Sequence, residues 1–182
     1  MIIGITGTNG AGKGAVVDYL VEKNGFKHFS VRAFIVEEVK RRGLEIDRTT
    51  IMNTANDLRA QHGATYIIAE ILKQIDPTDD AIVESVREVQ SVGLIHEQGG
   101  IVIAVDADAQ IRYERIQKRA TETDRVDFDT FMKEDQREYT NTDPTKQNVM
   151  GVFAIADYKI VNNGTLEELH AQVDSILEKV TR

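Results

Sequence analysis

A glycine-rich stretch near the start of the chain has residue types that can bind phosphate. In GTNGAGKG, residues 7–14, the spacing is Gly-x-x-x-x-Gly-Lys, with Gly7, Gly12 and Lys13 at the fixed positions. Glycines let backbone N–H groups converge on an anion, and the lysine adds a charge for the β- and γ-phosphates of a nucleotide. The stretch follows an apolar strand pattern and precedes a helix pattern, so it predicts a P-loop with Lys13 as a catalytic residue. The expected ATP contacts are Gly7, Thr8, Asn9, Gly10, Ala11, Gly12, Lys13, Gly14 and Ala15.

The hydroxyl that usually follows the lysine of a P-loop is missing. A Ser or Thr at that place binds Mg²⁺, but here Gly14 and Ala15 follow Lys13. Mg²⁺ keeps several waters at most sites, so it can rest on phosphate oxygens, waters and one carboxylate. Glu84 is the candidate carboxylate, because it ends the apolar run AIVE and α/β enzymes place ligand contacts at strand ends. The sequence therefore predicts a Mg²⁺ site that uses Glu84.

Three arginines have a spacing that puts them on one helix face. Arg112, Arg115 and Arg119 lie at i, i+3 and i+7 in DAQIRYERIQKR. A solvated face is the simplest interpretation, and we expect Arg112 to belong to it. Arg119 ends the helix just before the polar segment ATETDRVD, which is the candidate lid. Phosphoryl transfer spreads negative charge over equatorial oxygens, which a guanidinium group stabilises.

The elements that must position these residues alternate between strand and helix patterns. Apolar runs such as MIIGIT and GIVIAVDA indicate buried strands, and periodic stretches between them indicate helices. The alternation predicts an α/β fold, a single domain over residues 1–182 with a five-stranded parallel sheet and helices on both faces. Residues 31–75 are helical throughout and are expected to form an insertion that holds a phosphoryl acceptor. The polar residues 120–128 are predicted to form a short lid.

The composition is that of a globular protein with an acidic surface. The chain has 182 residues, with 22 Lys and Arg against 30 Asp and Glu, for a net charge of −8. This balance disfavours partners with a phosphate backbone, so nucleic acid is not expected as a partner. The absence of Cys excludes disulfides and cysteine metal sites. No apolar run reaches membrane length, so we expect a cytoplasmic monomer or weak homodimer without a membrane partner.

The sequence resembles adenylate kinases and related nucleoside monophosphate kinases at three places. Their loop has the same glycine after the lysine as GAGKG, and their Asp-Gly-x-Arg segment is similar to the strand end ESVR. That similarity implies that Glu84 lies near Mg²⁺ and that Arg87 holds the acceptor phosphate. Their Arg-Arg … Arg-x-Asp lid is similar to ERIQKRATETDRVDF, which implies that Arg119 and Arg125 contact ATP phosphates, joined by Arg137. The resemblance implies a three-layer P-loop kinase fold that uses ATP and Mg²⁺.

The sequence indicates the phosphoryl acceptor less directly than it indicates the ATP site. Arg32 in FSVRAFIVEE is a candidate contact to the acceptor phosphate, although the Gly-Asp pair of adenylate kinases is missing there. The end of the chain, residues 156–173, resembles dephospho-CoA kinases, which phosphorylate a hydroxyl and need a general base. Their base is an Asp after the second strand, where this chain reads SVRAF. A nucleoside monophosphate brings its own ionised oxygen and needs no base, so it is the favoured acceptor among small-molecule nucleotide substrates.

Three other functions stay open at this point. The first is a dephospho-CoA kinase or another kinase directed at a hydroxyl group. The second is a nucleotide-binding NTPase without an acceptor, although the guanine-selective Asn-Lys-x-Asp motif is absent. The third is a catalytically weakened regulatory protein that binds a nucleotide, for which Ala15 is the only argument. The chain also resembles a group of archaeal and bacterial P-loop kinase-like proteins with GKG loops. That resemblance implies a fold and ATP binding, and it does not imply a substrate.

Overall fold

Five parallel strands form the centre of the computed structural model, which describes residues 1–119, 127–139 and 147–180. The strands are β1 (Ile2–Gly7), β2 (Lys27–Ser30), β3 (Ala81–Glu84), β4 (Ile101–Asp106) and β5 (Tyr158–Val161). Their order in the sheet is β2-β3-β1-β4-β5, and every pairing is parallel. The first strand therefore lies in the middle, between the two strands whose ends approach the glycine-rich loop.

Helices cover both faces of this sheet. Those in the described ranges are α1 (Lys13–Asn24), α2 (Val31–Arg41), α3 (Arg48–His62), α4 (Tyr66–Leu72), α5 (Val89–Glu97), α6 (Ala109–Arg119), α7 (Phe128–Tyr139), α8 (Val149–Ile155) and α9 (Leu166–Val180). Helices α1 and α9 pack on one face, and α2 to α5 together with α8 pack on the other. The three-layer α/β fold with a five-stranded parallel sheet is confirmed.

Side chains that alternate along β1 contribute to the hydrophobic cores on both faces of the sheet. Ile3 and Ile5 are fully buried and face α1 and α9, where they meet Val16, Leu20 and Leu169. Successive side chains of a strand point to opposite faces of the sheet. The residues that alternate with Ile3 and Ile5 therefore face the other hydrophobic cluster, which packs against α2 to α5 and α8. A strand that is apolar on both faces is typical of a parallel sheet with two helical layers. This packing fixes the end of β1, from which the glycine-rich loop departs.

Polar caps determine where the second strand ends and the following helices begin. The Ser30 hydroxyl accepts a hydrogen bond from the backbone N–H of Ala33 at 3.4 Å, and α2 begins at Val31. Asp47 caps α3 by accepting from the Thr50 N–H at 2.8 Å. Such caps satisfy N–H groups that have no partner inside the helix. The alternation of apolar and polar residues in FKHFSV, residues 26–31, predicts a strand there, but β2 ends at Ser30 because the Ser30 cap commits Val31 to α2.

The helical segment 31–75 packs into the same core as the rest of the chain. Its helices α2, α3 and α4 bury residues against β3, α5 and α8 in one continuous cluster. The members of this cluster from the segment are Val31, Ile35, Val39, Ile51, Ala55, Leu58, Ile67, Ile68, Ile71 and Ile75. The single-domain organisation stays a prediction, and this shared core is an argument in its favour.

The predicted lid falls mostly outside the described residues. Residues 120–126 are not described, and Phe128 begins α7. None of the described helices is both long enough and apolar enough to cross a membrane.

Candidate nucleotide-binding site

The loop between β1 and α1 has glycines in backbone conformations that other residues rarely adopt. Gly10 has φ 79° and Gly12 has φ 96°, both in the left-handed region. The loop then enters α1, whose positive dipole end faces it. Lys13 Nζ donates hydrogen bonds to the carbonyl oxygens of Gly7 at 2.9 Å and Thr8 at 2.8 Å. The ammonium group is therefore folded over the loop, where a bound phosphate would offer it charged acceptors instead.

Later parts of the chain hold this loop from two sides. Asn162, which directly follows β5, donates from Nδ2 to the Ala11 carbonyl oxygen at 2.8 Å. A Cβ atom on Gly12 would lie 2.3 Å from Asn162 Nδ2, and one on Gly10 would lie 2.6 Å from the Arg112 carbonyl oxygen. Both distances are far below van der Waals contact, so the loop depends on glycine at these positions for space as well as for φ.

Asp106 joins the loop to the end of β4. Its Oδ1 accepts a hydrogen bond from the Thr8 hydroxyl at 2.5 Å, and its carbonyl oxygen accepts from the Asn162 N–H at 2.7 Å. Sequence reasoning missed Asp106 and Asn162 as site residues. Both are polar residues at the carboxyl end of an apolar strand, which is the signal that identified Glu84.

The expectation that Arg112 lies on a solvated face is wrong. Its side chain is 4% exposed and forms a bidentate ion pair with Asp135 of α7, at 2.8 Å and 2.7 Å. Nε donates to the Ala107 carbonyl oxygen at 2.9 Å, and Nη1 lies 3.3 Å from the Asn9 carbonyl oxygen. Helical spacing shows which residues share a face, but it does not show that α7 and the loop cover that face.

A cleft of about 340 Å³ opens beside the loop. It brings together Lys13, Glu84 and Arg119, three of the residues that the sequence predicted for the site. Arg115 also lines the cleft, and its Nη1 is buried without a hydrogen-bond partner in the described part of the chain. Arg115 was not predicted as a site residue, although its i, i+4 spacing from Arg119 was a usable signal. The cleft thus combines a glycine loop, three cationic side chains and a carboxylate.

Glu84 enters the cleft from the strand next to β1. It lies opposite Ile5 in the β1–β3 register. The following residue, Ser85, has φ 71°, at the position of glycine in the Asp-Gly-x-Arg segment that this strand end resembles. The left-handed conformation costs a non-glycine residue roughly 1–2 kcal/mol, and such strain clusters at functional sites. His28 of β2 contacts Glu84 Oε2 through Nε2 at 2.9 Å, and because a carboxylate only accepts, Nε2 carries the proton.

The two predicted acceptor contacts do not belong to the cleft lining among the described residues. Arg32 is exposed in the first turn of α2. Arg87 is half-buried, and its Nη1 donates to Gln147 Oε1 at 3.1 Å. Its neighbour Glu88 forms a buried ion pair with Arg59 of α3 at 2.8 Å, which ties α3 to the start of α5. The contact of Arg32 and Arg87 with an acceptor stays a prediction.

The two remaining predicted phosphate contacts cannot be placed in the same way. Arg125 lies outside the described residues. Arg137 belongs to α7, but its side chain is outside the described part of the structure. Their contacts with ATP stay predictions, as does the lid that would carry Arg125.

The donor groups of the cleft fit a metal ion that the nucleotide itself holds. No group of three or more His, Cys, Asp and Glu residues that could bind a metal occurs among the described residues. Gly14 and Ala15 have no side-chain oxygen, Glu84 is the carboxylate in the described lining of the cleft, and Asp106 accepts a hydrogen bond from Thr8 of the loop. Mg²⁺ commonly uses one or two carboxylates together with substrate phosphates and water. The residues present therefore suit Mg²⁺ bound with ATP and do not form a dedicated metal cage.

Comparison with known protein families gives a match over most of the chain. A family model described as "AAA domain" matches residues 3–141. The chain belongs to this family. A UPF0200 protein of Methanocaldococcus jannaschii is 30% identical over 185 residues, which cover 99% of this chain and 90% of the relative. A UPF0200 protein of Thermococcus gammatolerans is 27% identical over 190 residues, which cover 100% of this chain and 96% of the relative.

Solved structures share the fold of this AAA-domain chain at low sequence identity. Shikimate kinase from Aquifex aeolicus has a TM-score of 0.58 and 17% identity, covering 100% of this chain and 98% of the kinase. Dephospho-CoA kinase from Campylobacter jejuni has a TM-score of 0.55 and 15% identity, covering 98% and 96%. The chain therefore has a P-loop kinase-like fold. The more specific adenylate-kinase type stays a prediction, because identities this low show the fold alone.

Proposed function

We propose that the chain is an ATP-dependent kinase that transfers the γ-phosphoryl group of Mg-ATP to a nucleoside monophosphate. The observation that carries this proposal is the cleft beside the glycine-rich loop, which Lys13, Arg115, Arg119 and Glu84 line together. Catalysis of phosphoryl transfer consists mainly of positioning the phosphates and stabilising their charge. Cations along the phosphates and a carboxylate for the metal ion are the groups that this reaction requires.

Each of the four charged residues that line the cleft has a role in the proposed reaction. Lys13 exchanges its loop carbonyls for the β- and γ-phosphates, and Arg115 and Arg119 stabilise the charge on the equatorial oxygens. The bond from the γ-phosphorus to its bridging oxygen breaks, an acceptor oxygen forms the new bond, and ADP leaves. Mg²⁺, when bound, neutralises charge between the β- and γ-phosphates, and Glu84 together with water would hold it.

A monophosphate is the acceptor that the described residues favour. Its attacking oxygen is already ionised and needs no base, and the end of β2 provides Ser30 and Arg32 but no acid. Arg87, which follows Glu84 by three residues, is proposed to bind the acceptor phosphate, with Arg32 as a second contact. A guanidinium group suits this task because it can bind phosphate bidentately. The left-handed Ser85 supports the similarity to the Asp-Gly-x-Arg segment on which this role depends.

A hydroxyl acceptor is the second candidate function, and one contact favours it. His28 holds the Glu84 carboxylate in the way that a neighbouring group orients a general base. Glu84 would then accept the proton of the attacking hydroxyl and would not be devoted to the metal ion. The end of the chain resembles dephospho-CoA kinases, which makes dephospho-CoA the first such acceptor to test.

An acceptor panel separates these functions. ADP formation from Mg-ATP is measured with AMP, CMP, UMP, GMP and dTMP, and in parallel with dephospho-CoA, shikimate, gluconate and simple nucleosides. We expect one monophosphate to be phosphorylated, and we expect Arg87→Ala to raise its KM about tenfold through loss of a charged hydrogen bond. Turnover of a hydroxyl acceptor with every monophosphate inert would replace the first proposal with the second. ATP hydrolysis at one rate with every addition would indicate an NTPase.

The P-loop role itself is tested with two lysines of the same helix. Lys13→Ala should lower the rate of transfer by about 100-fold or more, because the ammonium charge acts on the transition state. Lys23 lies exposed in the last turn of α1, so Lys23→Ala is the matched control and should leave the rate unchanged. A Lys13→Ala rate within a few-fold of the parent would rule out the proposed role of the loop.

A further inference from the structure

His28 of β2 contacts the carboxylate of the cleft. The distance from His28 Nε2 to Glu84 Oε2 is 2.9 Å. The side chains are 35% and 23% exposed, so the pair is partly exposed to solvent and does not lie in the core. A substitution at position 28 can therefore change this hydrogen bond without opening a cavity in the core.

The strand register brings the two side chains together. In the β2–β3 pairing, His28 lies opposite Ile82 and Ser30 lies opposite Glu84. Side chains two residues apart on a strand share a face, so His28 and Glu84 lie on the same face of the sheet. The imidazole reaches one step further along the sheet to meet the carboxylate. The contact thus belongs to the rigid sheet and not to a loop.

Glu84 needs a partner of this kind. A glutamate side chain has one more rotatable bond than the aspartate of the segment that this strand end resembles, so it has more rotamers to lose. A hydrogen bond from His28 to Oε2 restricts those rotamers and leaves Oε1 for a second contact in the cleft. Groups that orient a metal ligand from behind typically change metal affinity or activity by 10–100-fold.

We propose that His28 is a positioning residue that holds the Glu84 carboxylate in the conformation that binds the nucleotide-associated metal ion. The inference rests on the proposed function, which assigns Glu84 to that ion. In this role His28 donates Nε2–H to Glu84 and touches neither the nucleotide nor the metal. A side chain that places an N–H at the same point should replace it, and an apolar side chain of similar size should not.

The test compares two substitutions at position 28 with a substitution in a similar histidine–aspartate contact outside the site. His28→Leu removes the donor, and His28→Gln retains an N–H at a similar distance from the backbone. His96 of α5 contacts Asp157 Oδ2 through Nε2 at the same 2.9 Å, with side chains 43% and 32% exposed. Asp157 also binds the N–H of Val102 near the start of β4, at the opposite end of the sheet from the cleft. His96→Leu therefore removes an equivalent hydrogen bond outside the site.

The readout is Mn²⁺ affinity of the complex with a non-hydrolysable ATP analogue, measured by electron paramagnetic resonance, with metal-free nucleotide affinity and melting temperature recorded alongside. We expect His28→Leu to weaken Mn²⁺ binding about tenfold or more, and His28→Gln and His96→Leu to stay within roughly threefold of the parent. Metal-free nucleotide affinity should be unchanged in all three variants.

Glu84→Gln and Lys13→Ala separate the inference from the proposed function. Parental Mn²⁺ affinity in His28→Leu, with a loss in Glu84→Gln, would overturn the positioning role and leave the metal role of Glu84 intact. Equal losses in His28→Leu and His28→Gln would also overturn it, because the donor would then be irrelevant. Unchanged Mn²⁺ binding in Glu84→Gln would show that Glu84 does not bind the metal ion and that His28 does not position it for that purpose. A transfer rate within a few-fold of the parent in Lys13→Ala would defeat the proposed function itself, whatever the outcome at position 28.

Discussion

At the scale of single residues, position 14 is where the loop departs from the usual P-loop and where it can be restored. A Cβ atom on Gly14 would lie within 4 Å of no atom outside the neighbouring residues and backbone of its own helix, and Gly14 lies in the first turn of α1. Gly14→Ser should therefore fit without strain and place a hydroxyl where a P-loop normally binds Mg²⁺. We expect the Mg²⁺ concentration for half-maximal nucleotide binding to fall by about threefold or more, the size of one net hydrogen bond. Calorimetric titration with Mg²⁺ at fixed ATP analogue measures this.

Gly14→Ala is the control for that prediction. Both alanine and serine stabilise a helical position relative to glycine, by roughly 0.5–1 kcal/mol, so both variants should melt at a higher temperature. Alanine brings no oxygen and should leave the Mg²⁺ dependence of the parent unchanged. If Gly14→Ala strengthened Mg²⁺ binding as much as Gly14→Ser, ordering of the helix start and not the hydroxyl would be responsible.

At the scale of elements, the pair Arg112–Asp135 joins α6, α7 and the nucleotide loop. Both side chains are 4% exposed, and removing one partner leaves the other charge buried without compensation. Asp135→Ala should lower the free energy of unfolding by about 3–5 kcal/mol. It should also weaken ATP binding, because Arg112 then loses the anchor that holds it 3.3 Å from the Asn9 carbonyl oxygen. Urea unfolding and nucleotide titration measure the two effects.

Asp129 provides the comparison on the same helix. It is exposed in the first turn of α7, and Asp129→Ala should change the free energy of unfolding by no more than about 0.5 kcal/mol. Equal effects of Asp129→Ala and Asp135→Ala would show that the buried ion pair does not stabilise the α6–α7 contact.

Helices α2 and α3 are joined by an ion-pair network that should respond to acid. Hydrogen bonds from Arg41 and then Arg42 lower the pKa of Glu38 from 4.5 to about 2, and Arg42 also contacts Asp57 of α3. Because the folded pKa is depressed, the contribution of Glu38 to stability is complete above pH 4.5 and is lost as the pH falls towards 2. The side chain of Arg41 is 74% exposed, so solvent screening keeps this contribution to about 1 kcal/mol or less.

Glu38→Gln should remove that pH dependence. The difference in unfolding free energy between the parent and Glu38→Gln should shrink between pH 4.5 and about 2. Glu37 pairs with Lys40 on the same helix but is 71% exposed, so Glu37→Gln is expected to change little over this range. A parent and Glu38→Gln that lose stability in parallel would contradict the assignment of this acid sensitivity to Glu38.

At the scale of the whole molecule, the two hydrophobic clusters share one sheet. Ile82 of β3 belongs to one cluster and its neighbours Ala81 and Val83 belong to the other, so neither cluster can lose its packing without disturbing the same strand. We therefore expect one cooperative unfolding transition. Calorimetry should give equal calorimetric and van't Hoff enthalpies, since equality is the signature of a two-state process. Two resolved transitions would show that segment 31–75 is a separate unit.

The sequence predicted those parts of the fold and the site that depend on a single local pattern of residues. The glycine loop, the sheet and Glu84 at a strand end follow from periodicity and strand-end position. Arg112 was assigned wrongly because its partner Asp135 is a helix away, and spacing along α6 does not show what packs on it. His28 and Asn162 were missed because their contacts depend on the order β2-β3-β1-β4-β5, which places strands distant in sequence side by side.

The hydrogen bond from Asn162 to Ala11 has a consequence for how the protein is made. These residues are separated by 151 positions, and β1 lies between two strands that are synthesised after it. A growing chain on the ribosome therefore carries its glycine loop early but cannot brace it until β5 has emerged. ATP capture by the nascent chain should therefore begin only after Asn162 has left the ribosome, 151 positions after Ala11 of the loop that it braces.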